Sequence, residues 1–218
     1  MIQKLFLIEY DDTCQGCPAF VGGKFYKDNI WTGDHEWNVD DPNPDAYRIT
    51  SKYSLKMDES SLNLDYSGHM YVSENFLKIL DEYEVEYRAI PLEIFLRQGK
   101  KTEKAYFYLL LKGRVFLLDK VSSIYTIAMN PNDRSKQLFE EFFPEEPVYD
   151  SIEKFSIKKD ENFPDFFICQ ELQQEVCTEK FKVACEERGI IGIRFSELVD
   201  GFKYDPMEFW PPMFNNNI

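Results

Sequence analysis

Two stretches of the chain, 105 positions apart, share one pattern of capping and apolar residues. Residues 71–90 read YVSENFLKILDEYEVEYRAI, and residues 176–195 read VCTEKFKVACEERGIIGIRF. In this register a hydroxyl residue followed by Glu falls at the same place in both copies, at Ser73 and at Thr178. Such a hydroxyl accepts a hydrogen bond from a free N–H of the first helical turn, and an acid next to it is stabilised by the helix dipole. Both stretches are therefore predicted to begin a helix here.

Each predicted helix is followed by a tight turn and a strand. Apolar residues recur at helical spacing after each start, with Phe76 and Phe181 in equivalent places, so one face of each helix is expected to be buried. Gly189 ends the second helix, because glycine adopts the left-handed conformation at little cost, whereas Glu84 stands at the equivalent place in the first. Strand-like runs come next in both copies. The repeated unit is helix, tight turn, strand.

The remaining segments predict an α+β fold with mixed or antiparallel sheets. Strand-prone runs occur at 4–10, at 104–120 and at 165–172, while residues 11–67 are rich in Asp, Asn, Gly and Pro and are expected to be irregular. The run LFEEFFPEEP at 138–147 is predicted to form a short helix that ends before its first proline. Helices and strands do not alternate regularly, which favours α+β over α/β.

Length and composition predict a single globular protein over residues 1–218. With 44% hydrophobic residues the chain can bury a substantial core. The repeat offset is nearly half the chain, so two lobes, 1–128 and 129–210, are the expected subdivision. The last residues, 211–218, are rich in proline and asparagine and are predicted to form a loose tail.

The chain is predicted to act in the cytoplasm. The apolar run Leu5 to Ile8 near the start is too short for a signal peptide, and no run approaches the ~20 residues of a membrane span. The five cysteines are an odd number without the dense spacing of a disulfide framework, which agrees with a reducing compartment.

Charge constrains the partner. The chain has 39 acids against 25 bases, a formal net charge of −14 that repels nucleic acid and anionic membranes and attracts basic proteins. Residues 34–45 carry five acids and no Lys or Arg, and residues 140–161 carry eight acids. Each cluster by itself also fits a solvated surface. Together they indicate a basic partner.

No motif predicts catalysis, a cofactor or a metal. The pair in CQGC, Cys14 and Cys17, lacks the further ligands of a zinc site and is predicted to be two reduced thiols in a turn. Three consecutive residues in GDHEW would point in different directions. The chain has two histidines and no phosphate-binding or nucleophile-elbow motif. We therefore predict a non-enzyme without catalytic, cofactor-binding or metal-ligating residues.

One segment resembles a known family. FFICQELQQEVCTEKFKVACEERGIIGIRF, residues 166–195, is similar to the C-terminal signature of an immunity-protein family of bacterial polymorphic toxin systems. The matching positions are Gly189, Gly192, Arg194 and Phe195 at the end of this segment, and, upstream, VSENF at 72–76, Pro91, Asp119 and Ser122. The resemblance covers about residues 65–198.

The resemblance implies a cytoplasmic protein that binds and neutralises a cognate toxin, with no cofactor and no catalysis. The toxins of such families are diverse, so the family does not identify the partner. The matched residues themselves are mainly capping, turn and core residues, which we interpret as determinants of the fold. Toxin recognition is expected elsewhere.

The predicted partner-binding residues lie between 31 and 47, where aromatic residues alternate with acids. Aromatic anchors supply most of the affinity in protein interfaces, and charge supplies association rate and partner choice. The predicted set is Trp31, Asp34, Glu36, Trp37, Asp40, Asp41, Asp45 and Tyr47. The partner is predicted to be a basic toxin such as a nuclease. Two alternatives remain open: a small-molecule enzyme or ligand-binding domain with an acidic cleft, and an accessory interaction protein without a toxin.

Overall fold

The computed structural model describes residues 3–28, 30–31, 35–68, 71–159 and 162–204. The first half contains strands β1 (Leu5–Tyr10), β2 (Lys24–Lys27), β3 (Ile30–Trp31), β4 (Tyr53–Lys56) and β5 (Tyr71–Ser73), helix α1 (Glu74–Glu82), and strands β6 (Tyr87–Phe95) and β7 (Tyr106–Leu111). The second half contains β8 (Arg114–Val115), β9 (Ile124–Ile127), β10 (Tyr149–Phe155), β11 (Phe166–Cys169), β12 (Gln174–Thr178), helix α2 (Glu179–Glu187), β13 (Ile193–Glu197) and β14 (Phe202–Tyr204). Short 3-10 turns occupy Pro44–Ala46 and Arg97–Gly99.

The described strands form three sheets, which confirms the α+β prediction. Their orders are β13-β1-β12-β11-β8, β14-β10-β9 and β3-β2-β4-β6-β7-β5. The pairs β4–β6 and β8–β11 are parallel, and the other strand pairs are antiparallel. The first and third sheets each carry one of the two helices on a strand–helix–strand unit.

The two repeated stretches fold into units of the same topology. In the first, β5 leads into α1 and then β6, and β7 lies between β5 and β6, antiparallel to both. In the second, β12 leads into α2 and then β13, and β1 lies between them, again antiparallel to both. The central strand of the first unit, β7, follows the helix in the chain, whereas the central strand of the second unit, β1, lies near the start of the chain.

Equivalent hydrogen bonds fix the start of each helix. The hydroxyl of Ser73 accepts from the N–H of Phe76 at 3.3 Å, and that of Thr178 accepts from the N–H of Phe181 at 3.4 Å. Each hydroxyl also donates to an aspartate: Ser73 to Asp65 at 2.6 Å, and Thr178 to Asp165 at 2.5 Å. The backbone N–H of each cap donates to the carbonyl of the same aspartate. The likeness between the units thus extends upstream of the stretches recognised in the sequence.

Both helices end with the same turn, although one lacks glycine. The N–H groups of the two residues after the cap return to carbonyls of the last turn, as in a Schellman motif. Gly189 has φ +62 at the left-handed position of α2, and Glu84 has φ +52 at that position of α1. A non-glycine residue in this region carries strain, so surrounding contacts impose the turn on Glu84.

The two units pack against each other through aromatic rings. Phe76 of α1 lies 6.1 Å from Phe181 of α2 between ring centroids, and Phe166 stacks on Phe181 at 4.9 Å. Gly192 is required at the same junction: its φ is +88, and a Cβ there would lie 2.6 Å from the carbonyl oxygen of Tyr66. The signature glycine therefore permits close approach of the two units.

Two segments of the structure differ from the sequence-based expectations. The segment predicted to be irregular contains β2, β3 and β4, which follow one another at the edge of the largest sheet, where β4 pairs with β6. The helix predicted at 138–147 is wrong, because this segment folds back on itself through a turn and Phe139 pairs with Pro147. The subdivision into two lobes at residue 128 stays a prediction. One sheet combines β1 and β8, which precede residue 128, with β11, β12 and β13, which follow it. The predicted tail, 211–218, lies outside the described residues.

Removal of either helix cap is expected to destabilise the protein. Ser73→Ala and Thr178→Ala should each lower the free energy of unfolding by about 1 kcal/mol, because an N–H of the first turn and an aspartate each lose one hydrogen bond. Urea unfolding measures this, and Thr178→Ser, which keeps the hydroxyl, is the control. Wild-type stability of Ser73→Ala would disprove the capping role.

Candidate partner-binding site

The predicted partner-binding residues lie on a segment beside the six-stranded sheet. Trp31 pairs with Tyr26 in β3, and Asp34 lies outside the described residues. We call residues 36–47 the acidic segment. It contains the 3-10 turn Pro44–Ala46 and no other helix or strand.

Trp37 belongs to the core of the first half. Its side chain is 5% exposed and packs in the cluster beneath the six-stranded sheet. Ring centroids lie 4.9 Å away at Tyr53 and 5.2 Å away at Tyr108. As the chain stands, this indole is not available as a surface anchor, so Trp37 fastens the acidic segment to the sheet.

The carboxylate of Glu36 forms hydrogen bonds and an ion pair within the protein. Its carboxylate accepts hydrogen bonds from Lys27 Nζ at 2.6 Å, the Thr50 N–H at 2.9 Å and Ser51 Oγ at 2.8 Å. These donors, Lys27 first, lower its pKa from 4.5 to about 2. The charge of Glu36 is thus matched locally, and it ties the start of the acidic segment to residues 50–51.

Internal hydrogen bonds shape the middle of the acidic segment. Asp41 accepts from the Tyr47 hydroxyl at 2.8 Å and from the Asn43 N–H at 2.8 Å. The bond to Asp41 raises the pKa of Tyr47, and burial adds to the effect. The N–H of Asp40 donates to Asn38 Oδ1 at 3.0 Å. The segment is therefore an ordered turn rather than an extended linker.

The end of the segment is held by a lysine and an arginine of the neighbouring sheet region. Asp45 forms an ion pair with Lys112. Arg88 of β6 donates from Nη1 to the carbonyls of Pro44 and Tyr47, both at 2.7 Å. Asp40 is exposed and Asp41 half-buried, and neither forms an ion pair within the described part of the chain.

The fold brings a second acidic stretch to the same place. Arg114 of β8 donates to the Asp40 carbonyl at 3.3 Å and to Gln170 Oε1 at 3.4 Å. The side chain of Gln170 also lies near the carboxyl group of Glu140, and both Arg114 and Asp40 act on the charge of Glu140. Burial raises the pKa of Glu140, while Gln170 and Arg114 oppose that shift.

We call Asp40, Asp41, Glu140 and Glu141 the acidic surface. Glu141 is exposed and contributes to the raised pKa of Tyr47, so it belongs to the same surface as Asp41. The sequence shows two acidic clusters about 100 positions apart but carries no local signal that they meet. Their meeting depends on Arg114 and Gln170, which sequence analysis did not single out.

Next to the acidic surface is a small cavity. It measures about 60 Å³ and is lined by apolar residues such as Val39 and Leu110 together with Asp40, Arg114 and Glu175. Small-molecule sites usually measure ~300 Å³ or more. This position therefore suits contact with another macromolecule better than enclosure of a ligand. The described residues contain no group of three or more His, Cys, Asp or Glu side chains arranged to hold a metal ion.

Comparison with known families decides the class of protein. The profile of the immunity protein family (Imm11) matches residues 39–200, well over half of the chain. The chain belongs to this family. The match begins inside the acidic segment and covers both strand–helix–strand units. A comparison with curated proteins gives no match. Within the part of the chain that the structure describes, neither helix is long and apolar enough to cross a membrane.

Several residues that carry the family resemblance have structural roles in the described contacts. Arg194 pairs with Glu9 across β13 and β1 at 3.3 Å, and Phe195 packs against the core between the units. Asp119 accepts from the N–H groups of Val121 and Ser122 and so closes a turn. Together with the caps and Gly192, these contacts support the interpretation that the signature specifies the fold.

The contacts of Glu36 predict a dependence of stability on pH. Because its pKa is lowered on folding, its contribution is fully present above the unfolded value of 4.5 and is lost as the pH falls towards 2. Glu36→Gln should therefore be less stable than wild type at pH 7, and the difference should close between about pH 4.5 and 2. Urea unfolding at several pH values measures this, with the exposed Glu103→Gln as the control. A difference that does not change with pH would contradict the assignment.

Proposed function

We propose that this immunity-family protein acts in a bacterial polymorphic toxin system, where it binds a cognate toxin in the cytoplasm and covers the toxin's active surface. Membership of the immunity protein family supports a role in protection against a toxin. In this proposal the chain uses no cofactor and catalyses no reaction, because blocking a surface requires only binding.

The acidic surface is the observation that carries the proposed binding site and the basic nature of the partner. Carboxylates from the acidic segment and from residues 140–141 lie together, on a chain whose net charge is −14. A surface of one sign steers an oppositely charged protein and raises the association rate. A toxin that acts on nucleic acid needs a basic active surface, so a nuclease would be complementary.

Apolar contacts must supply the rest of the affinity, because exposed ion pairs contribute only ~0–1 kcal/mol each. Trp37 is buried and does not offer such a contact, but Val39 is 41% exposed and Phe139 is 47% exposed. They are the chain neighbours of Asp40 and Glu140, respectively. We propose that Val39 and Phe139 are the apolar contacts that accompany the acidic surface.

Co-expression tests the proposed function. A toxin-like gene identified beside the gene for this chain would be expressed alone, with the wild-type chain, and with a Phe139→Asp variant in bacterial cells. We expect growth arrest alone, normal growth with the wild type and weak protection with the variant. Val121→Asp is the matched control, because Val121 is 94% exposed and belongs to the loop before β9.

Binding of the purified proteins completes the test. A complex that forms at low salt and protects cells supports the proposal. If the neighbouring product does not bind at low salt, and the chain gives no protection, the proposed function is wrong. Equal protection by Phe139→Asp and Val121→Asp would leave the toxin as partner and remove Phe139 from the site.

A further inference from the structure

Two arginines hold the acidic segment through its backbone. Arg88 donates to the carbonyls of Pro44 and Tyr47 at 2.7 Å, and Arg114 donates to the carbonyl of Asp40 at 3.3 Å. Arg88 lies on β6 and Arg114 on β8, so the segment is attached to two different sheets.

Because both arginines donate to backbone carbonyls, they do not neutralise the carboxylates of the acidic surface. An arginine that pairs with a carboxylate fixes its position but also offsets its charge. Here the guanidinium groups bind carbonyl oxygens, while the carboxylate of Asp40 is exposed and that of Asp41 binds only a hydroxyl and a backbone N–H in the described contacts. The segment is thus fixed while the negative charges of Asp40 and Asp41 remain available to a partner.

Repulsion between the carboxylates of the acidic surface is a physical reason for such a restraint. Like charges brought close together disfavour the folded arrangement unless a cation or hydrogen bonds compensate. Arg114 lies between the two acidic stretches, because it bonds the Asp40 carbonyl and shares Gln170 with Glu140. Its guanidinium is partly buried, and burial lowers its pKa while nearby acids oppose that shift.

We infer that Arg88 and Arg114 are positioning residues, which hold the acidic segment in its binding arrangement before a partner arrives. This inference rests on the proposed function, because it concerns the same surface. A loop that is already ordered loses less conformational freedom on binding than a mobile one. The arginines should therefore affect recognition without touching the toxin.

Hydrogen exchange in the isolated full-length chain tests the restraint itself. In Arg88→Met, the protected amides of residues 40–47 should exchange about tenfold faster than in wild type, because two hydrogen bonds from a charged donor are lost. Arg97→Met is the matched control: Arg97 donates to the carbonyl of Asp58, so the same kind of bond is lost in another loop. Amides of β7 should be unchanged in both variants, which separates a local effect from global unfolding.

The binding consequence is measured with the purified product of the neighbouring toxin-like gene. Arg88→Met should associate about tenfold more slowly than Arg97→Met, and Arg88→Lys should recover part of the rate, because its ammonium can still donate to carbonyls. Arg114→Gln should behave like Arg88→Met.

The outcomes separate the two proposals. Equal exchange of residues 40–47 in Arg88→Met and Arg97→Met would overturn the positioning role, whether or not the toxin binds. Faster exchange with an unchanged association rate would also overturn it. If wild type does not bind the toxin, the proposed function fails, and the exchange result still decides whether the arginines hold the segment.

Discussion

Replacement of Trp37 by Ala is expected to lower the free energy of unfolding by about 3–5 kcal/mol, the usual cost of deleting a large buried aromatic side chain. The indole is 5% exposed and lies against Tyr53 and Tyr108. Its loss would leave a cavity under the six-stranded sheet and remove one of the contacts that hold the acidic segment on the core. Urea unfolding of the isolated chain measures the effect without any toxin.

Trp37→Phe is the informative control for this prediction. A phenyl ring keeps most of the buried apolar area, and the indole N–H that it removes has no hydrogen-bond partner among the described residues. The cost should therefore be much smaller than that of Ala, because no made hydrogen bond is lost. If Trp37→Ala unfolds like wild type but releases a bound toxin faster, Trp37 would be a contact residue and its burial would not reflect the state that binds.

This prediction changes the role of one residue in the sequence-based hypothesis. The pattern of aromatics among acids at 31–47 is compatible with an exposed anchor and with a buried one, because charge and ring spacing are the same in both cases. Burial is decided by Tyr53 and Tyr108, which come from strands further along the chain. The partner-binding hypothesis for the segment stays a prediction, with Val39 and Phe139 in place of Trp37 as apolar contacts.

Structural features that depend on a few consecutive residues could be predicted from the sequence. The caps at Ser73 and Thr178 and the stop at Gly189 depend on hydrogen bonds within one helical turn, and the structure has all three. Sheet pairing depends on residues far apart, and there sequence analysis was weaker. The run at 138–147 has the composition of a helix but folds back on itself, since Phe139 pairs with Pro147 across a turn between β9 and β10.

The equivalence of Asp65 and Asp165 is another feature that depends on residues outside one helical turn. Each aspartate accepts from a helix cap, and each also binds a lysine, Lys104 in one unit and Lys180 in the other. The spacing to the cap differs, because Asp65 precedes Ser73 by 8 positions and Asp165 precedes Thr178 by 13. An ungapped comparison of the repeats therefore misses the aspartates, although they complete the likeness between the units.

Charge reversal on the acidic surface is expected to have the largest effect on recognition. Asp40→Lys with Asp41→Lys should lower the association rate with the neighbouring toxin about 10–100-fold at low salt, because steering depends on the local field. The difference from wild type should shrink as ionic strength passes about 0.1 M, where the Debye length is about 10 Å. Stopped-flow association kinetics at several salt concentrations measures this.

Two matched double variants show whether the effect depends on the position of the charges, on the net charge of the chain, or on a change in folding. Glu103→Lys with Glu153→Lys changes the net charge by the same amount at exposed positions outside the acidic surface, and should reduce the rate far less. Asp40→Asn with Asp41→Asn keeps the side-chain oxygen that accepts from the Asn43 N–H, and should give an intermediate rate. Equal slowing by both Lys double variants would show that only the overall charge matters, and an unchanged rate in the Asp40 and Asp41 variants would exclude these two residues from the encounter surface.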